Sequence, residues 1–386
     1  MQNRLKTKIG ILGGGQLGKM MIEESLKLNV EFNVLENDLD CPCNSLADNF
    51  ILGKLTDEEK INELAAISDV LTYEIEHVNT SALLKLEEEG KKIIPSPRIL
   101  KIIQDKGLQK TFYSENNIPT SNYFLVENKS EWTNAIKNLG AEKFVAKTRK
   151  DGYDGKGVCI LNSYEVLNNP SAIPFDGACV LEEFVNCKKE LSVIVAKDVF
   201  GNILCYPIVE MEFDAVANLV TFLFAPADIS IDIEKKAKQI SLQAVDALNS
   251  PGLFAVELFL THDDTILINE IAPRPHNSGH HTIEACNTSQ FEQLVRILIG
   301  LPLGNTNLIQ AAAMINLLGD TTFTGHYRLK YLNELEEMDG VYIHLYGKKE
   351  SKPMRKLGHI TVTANTLEEV KSKAKKVMDF AGFEKA

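Results

Sequence analysis

The sequence lacks the features that place a chain in a membrane, on nucleic acid or outside the cell. No apolar run approaches the roughly 20 residues of a bilayer-spanning helix. Basic residues are in deficit: 41 Lys and Arg against 53 Asp and Glu give a net charge of −12. That balance argues against a general nucleic-acid surface but leaves room for a local basic pocket around a small anion. The seven cysteines (Cys41, Cys43, Cys159, Cys179, Cys187, Cys205, Cys286) are odd in number and offer no pair of CxxC units. Reduced structural thiols are therefore expected, and Cys41-Pro-Cys43 lacks the further ligands of a metal site. The opening MQNRLKTKIGILGGG runs from a short basic stretch straight into a strand, without the apolar core and cleavage site of a signal peptide. A cytoplasmic protein is expected. Internal repeats and low-complexity segments are also missing.

What is present is enough chain for two or three domains sharing one site, 386 residues with an ordinary apolar fraction of 44%. Lys8 to Leu12 reads as a buried strand, followed by a glycine turn, an apolar-periodic segment from Gln16 to Leu28 and a second strand from Phe32 to Leu35. Strands at Asn49–Leu52, Val70–Tyr73 and Lys92–Ile94 alternate with helical stretches, which predicts a parallel sheet with helices on both faces. Pro95 and Pro97 punctuate the end of this unit, and one charged helix is expected from about Leu100 to Asn116. Beyond it the pattern turns to helix and antiparallel strands, with strands near 143–147, 158–161, 178–181, 191–195, 204–206 and 219–222 and a helix from Ile233 to Leu248. The last stretch reads as a small strand-rich unit containing Tyr342–Tyr346 and His359–Thr363. The expected division is 1–105, 106–305 and 306–386.

Four groups of residues carry chemistry. In the first, strands Leu253–Leu260 and Thr265–Ile271 flank a turn at Asp263-Asp264, and a symmetric turn sets Glu257 opposite Glu270. Cross-strand partners share a face, with Cβ atoms about 4.5 to 5.5 Å apart, and two carboxylates that close repel unless a cation lies between them. Oxygen ligands suit magnesium; two half-exposed glutamates on a sheet rim are the bland alternative. In the second, Lys147 ends a strand and the cation-bearing loop Thr148 to Gly157, with Gly152, Gly155 and Gly157, joins it to the next. Such a loop can close over phosphates, although it is not a Walker A loop and a plain surface hairpin fits as well. The third is Ala272-Pro-Arg274-Pro-His276-Asn-Ser278-Gly-His280-His281, a polar loop stiffened by two prolines directly after Glu270. Zinc on His276, His280 and His281 is disfavoured by the hard oxygen donors next door. The fourth is Gly13-Gly-Gly15-Gln16-Leu17-Gly18 with Glu36 ending the following strand, formally a dinucleotide fingerprint whose helix N-terminus suits any phosphate. Tyr73-Glu74-Ile-Glu76-His77 reaches the same edge of the sheet.

Taken together these motifs resemble the ATP-grasp superfamily over essentially the whole chain. Within it, Gly15 to Gly18, Glu74 to His77, Gly152 to Gly157 and Asn269 to His280 look like the N5-carboxyaminoimidazole ribonucleotide synthetase family. The resemblance implies an α/β fold: an N-terminal Rossmann-like parallel-sheet domain, a two-part central nucleotide grasp and a small C-terminal strand-rich domain. It implies a ligase that uses ATP and bicarbonate to carboxylate 5-aminoimidazole ribonucleotide through carboxyphosphate, as a homodimer, with ATP and Mg2+ as cofactors. By the same resemblance Lys106 and Lys147 hold ATP phosphates, Gly152, Gly155, Gly157 and Val158 belong to the loop over ATP, and Asn269 joins Glu270 at the nucleotide. Glu182, Glu183, Phe184 and Val185 present backbone to adenine, Glu190 meets the ribose, and Glu257 and Glu270 hold magnesium. Tyr153, Asp154 and Lys156 sit where nucleotide meets imidazole. Gln16, Leu17, Glu74, Arg274, His276, Asn277, Ser278, Gly279 and His280 position ribonucleotide and bicarbonate, with Lys348 and Arg355 clamping its phosphate. In this family Lys106 stands where arginine is frequent, so a point charge replaces a bidentate fork. Phe213 falls near a position where some relatives use histidine on ATP.

Three competing readings remain: a formate-using glycinamide ribonucleotide transformylase of the same superfamily, a nicotinamide-dependent dehydrogenase, and a silent nucleotide-binding protein. Gln16 and the Asn277-Ser278-Gly279-His280-His281 run favour the carboxylating enzyme over the first. The dehydrogenase leaves Glu257, Glu270 and the Lys147 loop without a purpose.

Overall fold

A computed structural model describes residues 6–150, 157–213 and 220–386. Among these residues no helix is long and apolar enough to cross a membrane.

The chain opens with a five-stranded parallel sheet ordered Asn49–Leu52, Glu31–Glu36, Lys8–Leu12, Val70–Tyr73, Lys92–Ile93. Alternation along the central strand feeds two cores. Ile9 and Ile11 pack with Met20, Met21 and Ile22 of helix Gln16–Glu24, whereas Leu12 packs with Leu64, Leu71 and Leu83 on the other side. Gly10 lies between them because a Cβ there would stand 2.5 Å from the Leu71 side chain. The first core is completed from far along the chain: Phe291, Leu294, Val295 and Leu298 of helix Gln290–Leu298 press onto the same face.

The single helix expected from Leu100 to Asn116 is two, Pro97–Ile103 and Lys106–Glu115. Asp105 makes the break, its carboxylate accepting from the Gly107 and Leu108 amides and capping the second helix. The cap puts Lys106 on the first turn, where its amide donates to the Arg149 carbonyl at 2.8 Å.

A four-stranded antiparallel sheet follows, ordered Tyr123–Val126, Cys179–Glu183, Lys143–Thr148, Val158–Asn162, over a core around Trp132 and Phe144. The remaining large sheet runs Ile266–Ala272, Gly252–Thr261, Cys187–Lys197, Val209–Phe213, Val220–Ala225, Ala311–Leu318, Lys356–Ala364, Val341–Leu345, with Ile203–Cys205 beside Cys187–Lys197. It does not stop at residue 306. Val220–Ala225 pairs antiparallel with Ala311–Leu318, so the C-terminal strands extend the sheet that holds the acidic hairpin. Helix Leu367–Phe380, fixed by a Thr366/Glu369 capping box, packs Val370, Ala374 and Val377 against that extension.

Candidate functional site

The acidic hairpin forms as Gly252–Thr261 and Ile266–Ala272, and Glu257 pairs with Glu270. The ladder reaches that pair by an unexpected route. Next to the turn Leu260 pairs with Ile266 and Leu258 with Ile268, a register that, continued, would bring Asn269 opposite Glu257. Asn269 bulges instead, and the pairing resumes one residue later. Its amide is then used: Nδ2 donates to Glu257 Oε2 at 3.3 Å, and Oδ1 accepts from Lys147 Nζ at 3.1 Å.

Lys106 Nζ lies 3.1 Å from Glu270 Oε2. That ammonium holds Glu270 below the usual glutamate range, while burial and the Glu270 charge push Glu257 above it. Two carboxylates on one face, with an ammonium in contact with one of them, fit a hard divalent cation. Lys147, on strand Lys143–Thr148, also meets Glu182 Oε1 at 3.0 Å. Glu183 accepts from Asn122 at 2.8 Å, Phe184 is exposed and Val185 half-buried in the turn that leads to Cys187–Lys197. On that strand burial lifts Glu190 to about 7. Gly157, at φ +74, accepts from Thr148 through its carbonyl, and Val158 pairs with Lys147. Gly152, Tyr153, Asp154, Gly155 and Lys156 lie outside the described residues, and Phe213 ends the strand Val209–Phe213.

The polar loop after Glu270 is tied at both ends. Arg274 Nη2 contacts Glu76 Oε1 at 3.1 Å, joining the loop to the carboxyl edge of the parallel sheet. His276 Nδ1 pairs with Ser278 Oγ at 2.8 Å, and its Nε2 is 3.5 Å from Glu257 Oε1. Ser278 meets Ser192 at 2.8 Å, and Asn277 and Asn316 exchange amide hydrogen bonds of 2.8 and 3.0 Å. Gln290 clamps the loop from inside, accepting from the His276 amide and donating to the His276 carbonyl, and Gly279 has no room for a Cβ beside it. His280, expected at the ligand, is 1% exposed and lies tilted against His359, ring centroids 4.8 Å apart, while His344 stacks on His359 at 4.4 Å. In this structure it supports the loop rather than facing outward. The three histidines diverge, which removes the zinc reading: His276 turns to Glu257, His280 to His359, and His281 is buried.

At the glycine turn the expectation of a phosphate on the helix N-terminus meets a competitor. Glu74, 8% exposed, accepts from the Gly15 amide and from the Gly18 amide at 2.6 Å, and Glu36 takes the Gly14 amide at 2.9 Å. A dinucleotide pyrophosphate needs those same N–H groups, so the dehydrogenase reading fails here. Gln16 remains half-buried at the rim, and Leu17 faces the core. Lys348 donates to the Lys356 carbonyl at 2.9 Å and Arg355 to the Glu350 carbonyl at 2.8 Å, in the segment between Val341–Leu345 and Lys356–Ala364.

The ribonucleotide synthetase preATP-grasp domain family matches residues 6–104, the ATP-grasp domain family residues 111–291, and the phosphoribosylaminoimidazole carboxylase C-terminal domain family residues 312–373. The N5-carboxyaminoimidazole ribonucleotide synthase of Bacillus subtilis (strain 168) is 38% identical over 354 residues, 92% of this chain and 90% of its own. The chain belongs to the N5-carboxyaminoimidazole ribonucleotide synthase family. The crystal structure of the Thermotoga maritima synthetase superposes with a TM-score of 0.89 at 42% identity, covering 98% of this chain and 100% of that one. The Aspergillus clavatus synthase in complex with ADP and 5-aminoimidazole ribonucleotide gives 0.87 at 33% identity, with 98% and 99% covered. In this chain an ATP-grasp domain follows a preATP-grasp domain. Several residues that hold the synthase site were not legible in advance. Gln109 Oε1 accepts from the Ile271 amide at 3.1 Å, Lys110 binds Glu182, and Gln290 and Asn316 fix the polar loop. All are polar residues in apolar-periodic elements, which a sequence pattern assigns to solvent.

Proposed function

We propose that the chain carboxylates 5-aminoimidazole ribonucleotide to N5-carboxyaminoimidazole ribonucleotide, using ATP and bicarbonate and releasing ADP and phosphate, in purine biosynthesis. The observation that carries this is the junction at Glu270. There Glu270 pairs with Glu257 and meets Lys106, Asn269 beside it meets Lys147, and the loop Arg274 to His280, joined to the parallel sheet through Glu76, begins four residues on. ATP and ribonucleotide thereby reach one hairpin from opposite ends.

In this reading Lys106 and Lys147 neutralise the phosphates, the backbone of Glu182 to Val185 meets adenine, and Glu190 accepts from the ribose. Glu257 and Glu270 would hold Mg2+, which when bound would screen the charge of the transferred phosphoryl group. A bicarbonate oxygen attacks the γ-phosphorus and ADP leaves; the exocyclic amine then attacks the carbon of carboxyphosphate, phosphate leaves with its bonding pair, and the proton lost by the amine passes to the departing phosphate. Carboxyphosphate needs shelter from water, and the loop containing Tyr153, Asp154 and Lys156 is assigned that role, with Gln16, Arg274, His276, Asn277 and Ser278 aligning the amine. Lys348 and Arg355 take the ribonucleotide phosphate. The division 1–105, 106–305 and 306–386, the homodimer and the cytoplasmic location belong to the same proposal.

The test is ADP release with Mg-ATP and bicarbonate, with and without 5-aminoimidazole ribonucleotide, against glycinamide ribonucleotide plus formate. Stimulation by the imidazole alone is expected. Stimulation by the glycinamide pair would transfer the reading to the transformylase.

A further inference from the structure

Lys110 is 3% exposed, and nothing in the reaction scheme uses it. It lies one turn after Lys106 on helix Lys106–Glu115. Three acceptors surround its Nζ: Thr120 Oγ1 at 2.6 Å, Ser121 Oγ at 2.9 Å and Glu182 Oε2 at 2.9 Å. An ammonium has three N–H bonds, so Lys110 is fully engaged inside the protein and has none for a ligand. Ser121 donates to the same Glu182 oxygen at 2.8 Å. Glu182, also 3% exposed, faces Lys147 Nζ at 3.0 Å through its other oxygen. Lys147 in turn reaches Asn269, and Asn269 reaches Glu257. One line of polar contacts therefore runs from a buried side chain without ligand-facing duties to the acid pair.

We infer that Lys110 is a positioning residue for Lys147: it pins the Glu182 carboxylate to which the Lys147 ammonium is anchored, and so sets where a nucleotide phosphate meets that ammonium. The inference rests on the reading of Lys147 as an ATP-phosphate ligand. Two physical arguments support it beyond the contacts. A buried ion pair is a poor stabiliser compared with apolar side chains of the same size, so a pair kept beside a reaction centre calls for another reason. Lys110 and Lys147 also divide the Glu182 carboxylate between them, one ammonium on each oxygen. Without Lys110, Lys147 is the one ammonium left on the Glu182 carboxylate among the described residues, free to be drawn toward it and away from a phosphate. Consistent with this arrangement, the Lys147 and Lys110 ammoniums hold Glu182 at about 2 against the opposing effect of burial.

The test uses the full chain and three variants, Lys110→Met, Lys110→Arg and the double variant Lys110→Met/Glu182→Gln. Steady-state KM for ATP and for the ribonucleotide, kcat, direct ATP binding by calorimetry and thermal melts are compared. Lys110→Met should raise the KM and Kd for ATP at least tenfold while leaving the ribonucleotide KM within about twofold, and Lys110→Arg should recover most of that loss. The double variant separates positioning from folding. Removing both charges should restore most of the melting temperature, since no buried carboxylate is left short of a partner, yet ATP binding should remain weak because Lys147 has lost its anchor. Should Lys110→Met fail to fold, the ATP affinity of the double variant decides. Wild-type ATP affinity in either folded variant overturns the inference. A wild-type chain that binds no ATP overturns the underlying reading instead.

Discussion

Glu257 faces Glu270 only because Asn269 bulges out of the ladder between them. One inserted residue supplies the amide that touches both an acid of the pair and Lys147, so the bulge joins the cation site to the phosphate side. Asn269→Ala keeps the bulge and deletes the amide. Hydrogen bonds to charged partners contribute about 1.5 to 3 kcal/mol, so ATP affinity should fall roughly 10- to 100-fold. Calorimetric titration with ATP checks this, and a loss under twofold would sink the assigned role.

The acid pair repels itself without a cation. Glu257→Gln relieves that repulsion, and the ligand-free variant should melt at or above the wild-type temperature, within about 1 kcal/mol of stability. The gain in melting temperature that magnesium with ATP gives the wild type should disappear. If magnesium still stabilises the variant as much as the wild type, the metal is held elsewhere.

Glu74 satisfies two backbone donors at the glycine turn. Glu74→Ala leaves the Gly15 and Gly18 amides without their acceptor and opens space beside them, at a cost of about 2 to 4 kcal/mol in unfolding free energy. Urea denaturation measures it. A variant of wild-type stability would show that water replaces the carboxylate without loss.

Burial lifts Glu190 from its ordinary value of 4.5 to about 7, with Lys147 pulling the other way. Between those values the folded chain keeps a proton that the unfolded chain releases. The stability this group contributes is thus complete below pH 4.5 and is lost as pH rises to 7. In the absence of ligands Glu190→Gln should melt above wild type at pH 8 and alongside it at pH 5. Equal melting temperatures at both values would place the proton on another group.

The sequence pattern reveals the front sheet because its strands alternate cleanly between two cores and its turn carries three glycines. It reveals the pairing of Glu257 with Glu270 through a symmetric turn about Asp263-Asp264, yet the actual turn is centred one half-step earlier and the bulge makes up the difference. The spacing of the core residues Ile266, Ile268 and Ile271, two and then three, is the signal that shows it. Asp105 caps a helix between two apolar-periodic stretches, where the apolar pattern alone runs on without a stop. Lys110, Gln109 and Gln290 could not be read at all, because a buried polar residue is distinguished from a solvated one only by partners distant in sequence.

The sheet that begins at Ile266–Ala272 and ends at Val341–Leu345 has a mechanical consequence. A hinge needs two neighbouring strands to part, and from the acidic hairpin to the strands flanking Lys348 each strand is paired to the next, with local register shifts at Glu212/Phe213 and Leu317/Leu318. Displacement of the Lys348 segment therefore travels as torsion of one plate, and the two ends should lose amide-exchange protection together rather than in sequence.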